Sequence, residues 1–289
     1  ESIQNGFFLF DDKLAFAQKA ERDSVANLST TLLDFHASIY IKSIENDPSF
    51  QEGLFDFLIL KTEEESFVLD FVVLCKAYLA DTTVKFEDFI KGMIDLFQLP
   101  KRESKLNSIG LFGELSVIKK IYESYYKLNL STGWHLSGAF SKYDFCFEKF
   151  NLEIKTTTSD TTTYQIKHSQ LFNENRNYVC LIKIEHNDSG ISLKDLISEM
   201  QHSEQYCSNV RFQIALKKEL NKTFDIDELN TKYAVLDYYF FENNKLDTIS
   251  KIPLCISDIE YKYDFDVADS LSLEEFIEDI KKVANPTSG

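Results

Sequence analysis

The chain has 289 residues, of which 44% are hydrophobic, and its 31 Lys and Arg stand against 47 Asp and Glu, a formal net charge of −16. This length and composition predict a globular protein with one large or two modest domains and exclude a disordered chain. Charges such as Asp70 and Lys76 interrupt the longest apolar segments. We therefore expect no membrane-spanning helix, which needs roughly 18 or more apolar residues.

Cysteine usage indicates the compartment. Five cysteines stand at positions 75, 146, 180, 207 and 255, and no two form a CxxC pair. An odd number without paired spacing indicates buried thiols in a reducing compartment, not a zinc site or a disulfide framework. We expect a cytoplasmic protein.

Residues 1–104 are predicted to form an accessory α+β region. Residues 7–10 and 54–60 have strand character, whereas residues 67–79 could be a strand followed by a helix, and their periodicity does not settle which. Residues 86–99 carry apolar side chains at helical spacing and end before Pro100, which predicts an amphipathic helix. The polar residues that follow predict a domain boundary at about residue 104.

The next element is predicted to be a helix over residues 109–122. One stripe of this helix carries the apolar residues Leu111, Leu115, Ile118 and Tyr122. Glu114 lies at the border of that stripe, where its side chain could reach inward.

A short segment with two glycines, residues 132–138, separates that helix from the next strands and could include the first strand of the core. It holds the only tryptophan of the chain. His135 follows that tryptophan and could contact a phosphate, although a packed or capping histidine is the commoner case.

Residues 141–158 are predicted to form the hairpin around which the chain is organised. Apolar and polar residues alternate on both sides of a tight turn at residues 148–149. If Phe147 pairs with Phe150, Asp144 lies directly opposite Glu153, with Cβ atoms about 4.5–5.5 Å apart. Two carboxylates at that distance repel each other unless a cation or a proton lies between them.

Lys155 projects from the same face of the predicted hairpin as Glu153, one pleat further along. Carboxylates are the oxygen ligands that Mg²⁺ prefers, and a bound cation can polarise a phosphoryl oxygen and lower the pKa of a water molecule. A lysine beside them can orient that water or offset charge on the phosphate. A solvent-exposed charged strand face is the alternative interpretation of these residues.

Asp144 followed by Glu153-Ile154-Lys155 resembles the signature of the PD-(D/E)XK nuclease superfamily, whose best-known members are restriction-endonuclease-like enzymes. Tyr143 stands where the signature usually has proline. The resemblance implies an α/β fold with a mixed sheet and an αβββαβ core. It also implies Mg²⁺ as cofactor, for which Mn²⁺ can substitute. The implied catalytic residues are Asp144, Glu153, Lys155 and Glu114, and the implied metal ligands are Asp144, Glu153 and Glu114.

A narrower resemblance rests on four short segments: Gly-Leu-Phe-Gly-Glu-Leu at 110–115, Lys-Tyr-Asp-Phe at 142–145, Leu-Glu-Ile-Lys-Thr at 152–156 and Ser-Gln-Leu at 169–171. They are similar to bacterial proteins known only as "PD-(D/E)XK motif proteins", which are often encoded beside phage-defence genes. This resemblance implies a role in restriction or anti-phage defence.

Polar and basic residues that follow the hairpin are predicted to bind the substrate. Hydroxyl groups of the threonine run can contact the phosphate or sugar oxygens of a duplex, although a flexible polar turn is an equal alternative. Gln170 falls at a helix position from which some superfamily members assist the site. The substrate-binding candidates are Thr156, Thr157, Lys167, His168, Gln170 and Arg176.

The nuclease core is predicted to span residues 105–186, and residues 187–289 a C-terminal α+β extension packed on it. In the extension we predict a helix over 193–206 and strands over 210–215 and 233–241. A capping box, Ser272-x-x-Glu275, predicts a last helix over 272–283.

The resulting hypothesis is a metal-dependent DNA endonuclease. The alternative is a catalytically silent nuclease-fold protein that acts as a DNA- or partner-binding subunit of a defence complex. Residues 142–183 contain six basic and five acidic residues, so the rest of the chain carries the negative charge. A DNA-binding protein usually shows a basic surface. We therefore expect a homodimer or a companion defence protein to supply it.

Overall fold

A computed structural model describes residues 5–20, 27–42, 52–98, 107–135, 142–171, 176–222, 225–247 and 259–284. Two compact units make up the chain: Glu1–Arg102 with Glu204–Asn221, and Glu103–Ser203 with Lys222–Gly289. The predicted boundary at residue 104 lies outside the described residues, and the predicted three-part division stays a prediction.

The described strands are β1 (Asn5–Phe10), β2 (Lys13–Lys19), β3 (Leu28–Ser29), β4 (Leu33–Ile41), β5 (Gly53–Leu60), β6 (Phe145–Cys146), β7 (Phe150–Thr157), β8 (Thr163–Lys167), β9 (Arg176–Ser192), β10 (Lys232–Glu242) and β11 (Glu260–Asp264). The described α-helices are α1 (Glu65–Ala80), α2 (Phe86–Gln98), α3 (Ser108–Ser124), α4 (His168–Leu171), α5 (Leu193–His202), α6 (Glu204–Cys207), α7 (Val210–Leu220), α8 (Ile226–Asn230) and α9 (Leu273–Ala284). Within these residues, no helix is both long enough and apolar enough to cross a membrane.

The first unit is an antiparallel sheet covered by helices. Its strands lie in the order β1-β2-β5-β4-β3. Apolar residues of the sheet, α1 and α2 form one core, which includes Phe16, Leu58, Phe71, Phe89 and Met93. The strand character predicted for residues 7–10 and 54–60 is confirmed in β1 and β5, and the helix predicted over 86–99 is confirmed as α2.

Two segments of the first unit could be assigned only from the tertiary structure. Residues 67–79, for which a strand followed by a helix was considered, lie wholly within α1. The strand predicted over 210–215 is wrong, because these residues open α7. Alternating apolar residues suggested a strand there, but Asn209 caps a helix by accepting a hydrogen bond from the N–H of Phe212 at 3.1 Å. Val210 and Ile214, one helical turn apart, then both face the core.

The second unit is built around a four-stranded mixed sheet in the order β10-β9-β7-β6. β6 pairs antiparallel with β7, β7 parallel with β9, and β9 antiparallel with β10. The predicted α/β class with a mixed sheet is thus confirmed. From α3 to β9 the elements follow the predicted order of helix, three strands, helix and strand, although the third strand, β8, pairs with β11 outside this sheet.

Each face of the mixed sheet is covered by different elements. On one face α9 packs through Phe276, whose ring lies 5.1 Å from that of Tyr178 and 4.2 Å from that of Phe240. On the other face the β8–β11 ribbon buries Ile166 and Phe265 with residues of β9 and β10. The predicted capping box is present, since Ser272 N–H donates to Glu275 Oε2 at 2.8 Å.

The helix α3 lies very close to β7. A Cβ atom at Gly113 would stand 1.8 Å from Oγ1 of Thr156, so a larger residue at 113 fits only if the helix or the strand moves. Glycine at this position therefore permits the approach that brings the next residue of α3, Glu114, to the hairpin.

Candidate metal-dependent active site

The two strands of the hairpin pair in the predicted register. Phe145 of β6 lies opposite Leu152 of β7. At the turn the N–H of Phe147 donates to the carbonyl oxygen of Phe150 at 2.9 Å, and the two rings stack with centroids 4.5 Å apart. The turn is therefore the predicted one at residues 148–149, and the alternation of side chains between the two faces follows from it.

Asp144 stands directly before β6 and is held by two backbone contacts. Its Oδ2 accepts a hydrogen bond from the N–H of Ile154 at 2.7 Å. Its carbonyl oxygen accepts one from the N–H of His135 at 3.1 Å. The register continued by one residue sets Asp144 opposite Glu153, so its carboxylate faces the Glu153–Lys155 segment of β7.

Glu153 and Lys155 form an ion pair along one face of β7. Two residues that are separated by one position on a strand project to the same side. The Nζ of Lys155 lies 2.6 Å from Oε1 of Glu153, whose residue surface is only 5% exposed. The lysine therefore neutralises part of the charge of a buried acid.

Glu114 reaches the same region from α3. Its Oε2 accepts a hydrogen bond from Nε1 of Trp134 at 2.7 Å and lies 3.1 Å from Nε2 of His135. The negative charge of Glu114 raises the pKa of both Asp144 and Glu153. The charge of Glu114 therefore acts on both hairpin acids in a poorly solvated region.

The pKa values of the two hairpin acids reflect their burial and the charges around them. Burial raises the pKa of Asp144 well above its usual range, and the charges of Glu114 and Glu153 raise it further. Burial also raises the pKa of Glu153, against the opposing effects of the Lys155 ammonium and of a hydrogen bond with Gln170. The site therefore favours an added positive charge, whether proton or cation.

Comparison with known proteins agrees with the geometry. The model of the family described as "Putative PD-(D/E)XK family member, (DUF4420)" matches residues 38–266, well over half of the chain. The chain belongs to this family. No curated protein and no solved structure matches the chain.

The donor set of this PD-(D/E)XK family member suits a hard divalent cation. Mg²⁺ takes oxygen ligands, keeps several water molecules and is commonly bound through one or two carboxylates. In the described part of the chain no three His, Cys, Asp or Glu side chains form a ready set of metal ligands. Asp144 and Glu153 nevertheless fit such an ion, because both have raised pKa values that a cation between them would lower.

Among the substrate-binding candidates, Gln170 contacts one member of the acid cluster, which consists of Glu114, Asp144 and Glu153. Besides its hydrogen bond with Glu153, its Nε2 donates to the carbonyl oxygen of Lys142 at 3.1 Å and its Oε1 accepts from the N–H of Lys167 at 2.9 Å. These contacts fix the side chain of Gln170 beneath the hairpin. They indicate that Gln170 helps to position Glu153. A contact of Gln170 with substrate stays a prediction.

Arg176 lies at the other end of the strands. It begins β9 opposite Phe150, which precedes Lys155 by five residues, or roughly 16 Å at about 3.3 Å per residue. Its guanidinium pairs with Glu242 and, at 2.9 Å, with Asp279. Arg176 therefore lies away from the three acids of the site, and its guanidinium is paired with two other acids.

The remaining candidates have structural contacts that do not test a role in binding substrate. The hydroxyl of Thr156 is buried without a hydrogen bond in the described part of the chain. The hydroxyl of Thr157 contacts that of Ser159 at 2.9 Å, and Nδ1 of His168 pairs with the hydroxyl of Tyr261. The side chain of Lys167 is exposed on β8.

The segment that precedes the hairpin makes contacts that were not predicted from the sequence. Trp134 forms an antiparallel bridge with Phe145, while residues 136–138 of the segment in which an early strand was expected lie outside the described residues. Trp134 and His135 also contact Glu114, although a packed or capping role was the commoner expectation for the histidine. The signal available in the sequence was a lone Trp-His pair between glycines, which does not by itself indicate contact with an acid.

Proposed function

We propose that the chain is a divalent-metal-dependent DNA endonuclease that hydrolyses phosphodiester bonds. The observation that carries the proposal is the placement of Asp144 opposite Glu153, with Lys155 on the same face of β7. Membership of a PD-(D/E)XK family supports it. The narrower sequence resemblance supports a role in bacterial restriction or anti-phage defence.

Each residue of the site has a proposed role. Asp144 and Glu153 would hold the cation, Mg²⁺ or Mn²⁺, and Glu114 would act on it through water. When bound, the cation polarises a phosphoryl oxygen and lowers the pKa of a water molecule. Lys155 would orient the attacking water and stabilise the charge that develops on the phosphate.

A catalytically silent nuclease-fold subunit is the second candidate. The observation that favours it is the ion pair between Lys155 and Glu153, at 2.6 Å, which occupies the lysine that catalysis requires. The net charge of −16 favours it as well, because a chain with that charge attracts DNA poorly.

Incubation with supercoiled plasmid DNA at low salt separates the two candidates. We expect nicked or linear DNA with Mg²⁺ or Mn²⁺, none with EDTA, and loss of cleavage by orders of magnitude in Asp144→Asn and Glu153→Gln. Glu148→Gln is the matched control, because it removes an exposed carboxylate from the turn of the same hairpin. DNA binding without cleavage under every metal condition, also with suspected companion proteins added, would support the silent subunit.

A further inference from the structure

Glu114 is held by two donors that have no part in the sequence signature. A glutamate in the middle of a helix has several rotamers, and at an exposed position it turns towards water. Here the Glu114 side chain is only 16% exposed, and its Oε2 accepts from Trp134 Nε1 at 2.7 Å and lies 3.1 Å from His135 Nε2. The neutral histidine tautomer with its proton on Nε2 is sufficient as donor.

The donors are themselves fixed to the hairpin. Trp134 is 1% exposed and pairs with Phe145 through a backbone bridge. The N–H of His135 donates to the carbonyl oxygen of Asp144 at 3.1 Å. Trp134 and His135 therefore contact both the backbone at Asp144 and Phe145 and the carboxylate of Glu114. These contacts fix the position of Glu114 relative to Asp144.

Two backbone features indicate that this arrangement is under constraint. His135 adopts a φ of 47°, in the left-handed region that few residues other than glycine occupy, although histidine is among those enriched there. A Cβ atom at Gly133 would stand 2.4 Å from the ring of Phe147. The left-handed backbone of His135 and the tight packing of Gly133 against Phe147 thus lie on either side of Trp134, whose indole contacts Glu114.

We propose that Trp134 and His135 are positioning residues, which together hold Oε2 of Glu114 so that its charge acts on the cation bound by Asp144 and Glu153. This inference rests on the proposed function, because it assumes a cation at the hairpin acids. Outer hydrogen-bonding partners of this kind typically change metal affinity by about 10–100-fold when they are replaced.

Calorimetric titration of the full chain with Mn²⁺ tests the proposal. Trp134→Phe keeps an aromatic ring and removes the N–H, and His135→Asn tolerates a positive φ but is too short to reach Glu114. We expect each to weaken Mn²⁺ binding roughly 10-fold or more. His135→Gln, which restores both reach and an N–H donor, should recover most of the affinity.

A double-mutant cycle with Glu114→Ala separates positioning from general damage. If the donors act through Glu114, Trp134→Phe and His135→Asn have little further effect once the carboxylate is absent. Equal loss of affinity in both backgrounds, or full affinity in the single variants, would overturn the inference. A parent chain that binds no Mn²⁺ at all would overturn the proposed function and this inference with it. Should Trp134→Phe fail to fold, the variants of His135, whose side chain is 32% exposed, decide the question.

Discussion

The carboxylate of Asp144 is held by the backbone of Ile154, the residue that lies between Glu153 and Lys155. The N–H of Ile154 donates to Oδ2 of Asp144 at 2.7 Å, while the Ile154 side chain is buried. Glu153 and Lys155 then project to the opposite face of the strand, on either side of that hydrogen bond. The register of the hairpin therefore brings the two acids together, and the charge of Glu153 contributes to the raised pKa of Asp144.

We predict that Asp144→Asn stabilises the metal-free protein at neutral and alkaline pH. Burial and two nearby negative charges raise the pKa of Asp144 in the folded state. Its contribution to stability is therefore complete below the unfolded pKa, about 3.9, and is lost as the pH rises through the folded pKa. Asparagine keeps an oxygen for the Ile154 N–H and carries no charge, so thermal unfolding in EDTA should show a gain at pH 8 that shrinks towards pH 4.

The control for this pH dependence is Glu148→Gln, in the exposed turn of the same hairpin. It removes an acid that is not part of the cluster, and its unfolding midpoint should follow that of the parent at every pH. A stability difference between Asp144→Asn and the parent that stays constant from pH 4 to pH 8 would contradict the assigned cause.

The register of the hairpin could be predicted because it depends on neighbouring residues alone. Alternation in two short strands and a two-residue turn fix which residues face each other, and Phe145 does lie opposite Leu152. The strand predicted over residues 210–215 failed for the opposite reason, since a helix cap and a distant core decide that segment. The contacts of Trp134 and His135 with Glu114 could not be predicted, because they join two elements that the sequence does not relate.

We predict that metal binding can be observed directly through Trp134. It is the only tryptophan of the chain, and its Nε1 lies 2.7 Å from the Glu114 carboxylate. Excitation of the indole should therefore sensitise the emission of a Tb³⁺ ion bound by the hairpin acids, and Mg²⁺ should compete. Glu153→Gln should lose the signal and Glu148→Gln should keep it. Strong sensitised emission from Glu153→Gln would place the ion elsewhere.

The same site should stabilise the fold when it is loaded. A ligand that binds only the folded state at about 100 times its dissociation constant raises the free energy of unfolding by about 2.7 kcal/mol. Thermal unfolding with increasing Mn²⁺ should show this gain in the parent and not in Glu153→Gln. An equal gain in both proteins would indicate that the cation acts outside the hairpin.

We predict that Lys155→Met separates catalysis from metal binding. Lys155 lies 2.6 Å from Oε1 of Glu153 and so competes with a cation for that oxygen. Its removal should leave Mn²⁺ affinity unchanged or increased, while single-turnover cleavage of DNA falls by orders of magnitude. Glu114→Ala should show a milder loss of cleavage. Cleavage by Lys155→Met at the rate of the parent would mean that the lysine has no catalytic role.

We predict that Gly113→Ala disturbs the site by moving α3. The added Cβ atom would stand 1.8 Å from Oγ1 of Thr156, and overpacking of this kind costs about 1–3 kcal/mol in the free energy of unfolding. Thr156→Ala should restore part of the loss in the double variant. Gly53→Ala is the control, since its Cβ would meet nothing closer than 3.7 Å, and denaturant unfolding should change by no more than about 0.5 kcal/mol.

The last prediction concerns DNA affinity, which the charges of the site region limit. Residues 142–183 contain six basic side chains. At least three of them are in ion pairs: Lys155 with Glu153, Arg176 with two acids, and Lys183 with Asp160. Few basic side chains of this region are then available to contact phosphates. Each phosphate contact adds roughly 0.9 to the slope of log affinity against log salt concentration, so a small slope is expected.

We therefore expect the isolated monomer to bind duplex DNA weakly, with a shallow salt dependence, and to cleave it slowly. The net charge of −16 adds a long-range repulsion that salt screens, so association should not accelerate when the ionic strength is lowered. A second copy of the chain or a basic companion protein would supply the missing contacts, and a dimer would also present two sites to opposite strands. The measurement is duplex affinity at several salt concentrations, with the oligomeric state determined at each protein concentration. Tight binding by a demonstrated monomer with a steep salt slope would contradict this prediction, because it would require a basic surface formed by residues distant in the sequence.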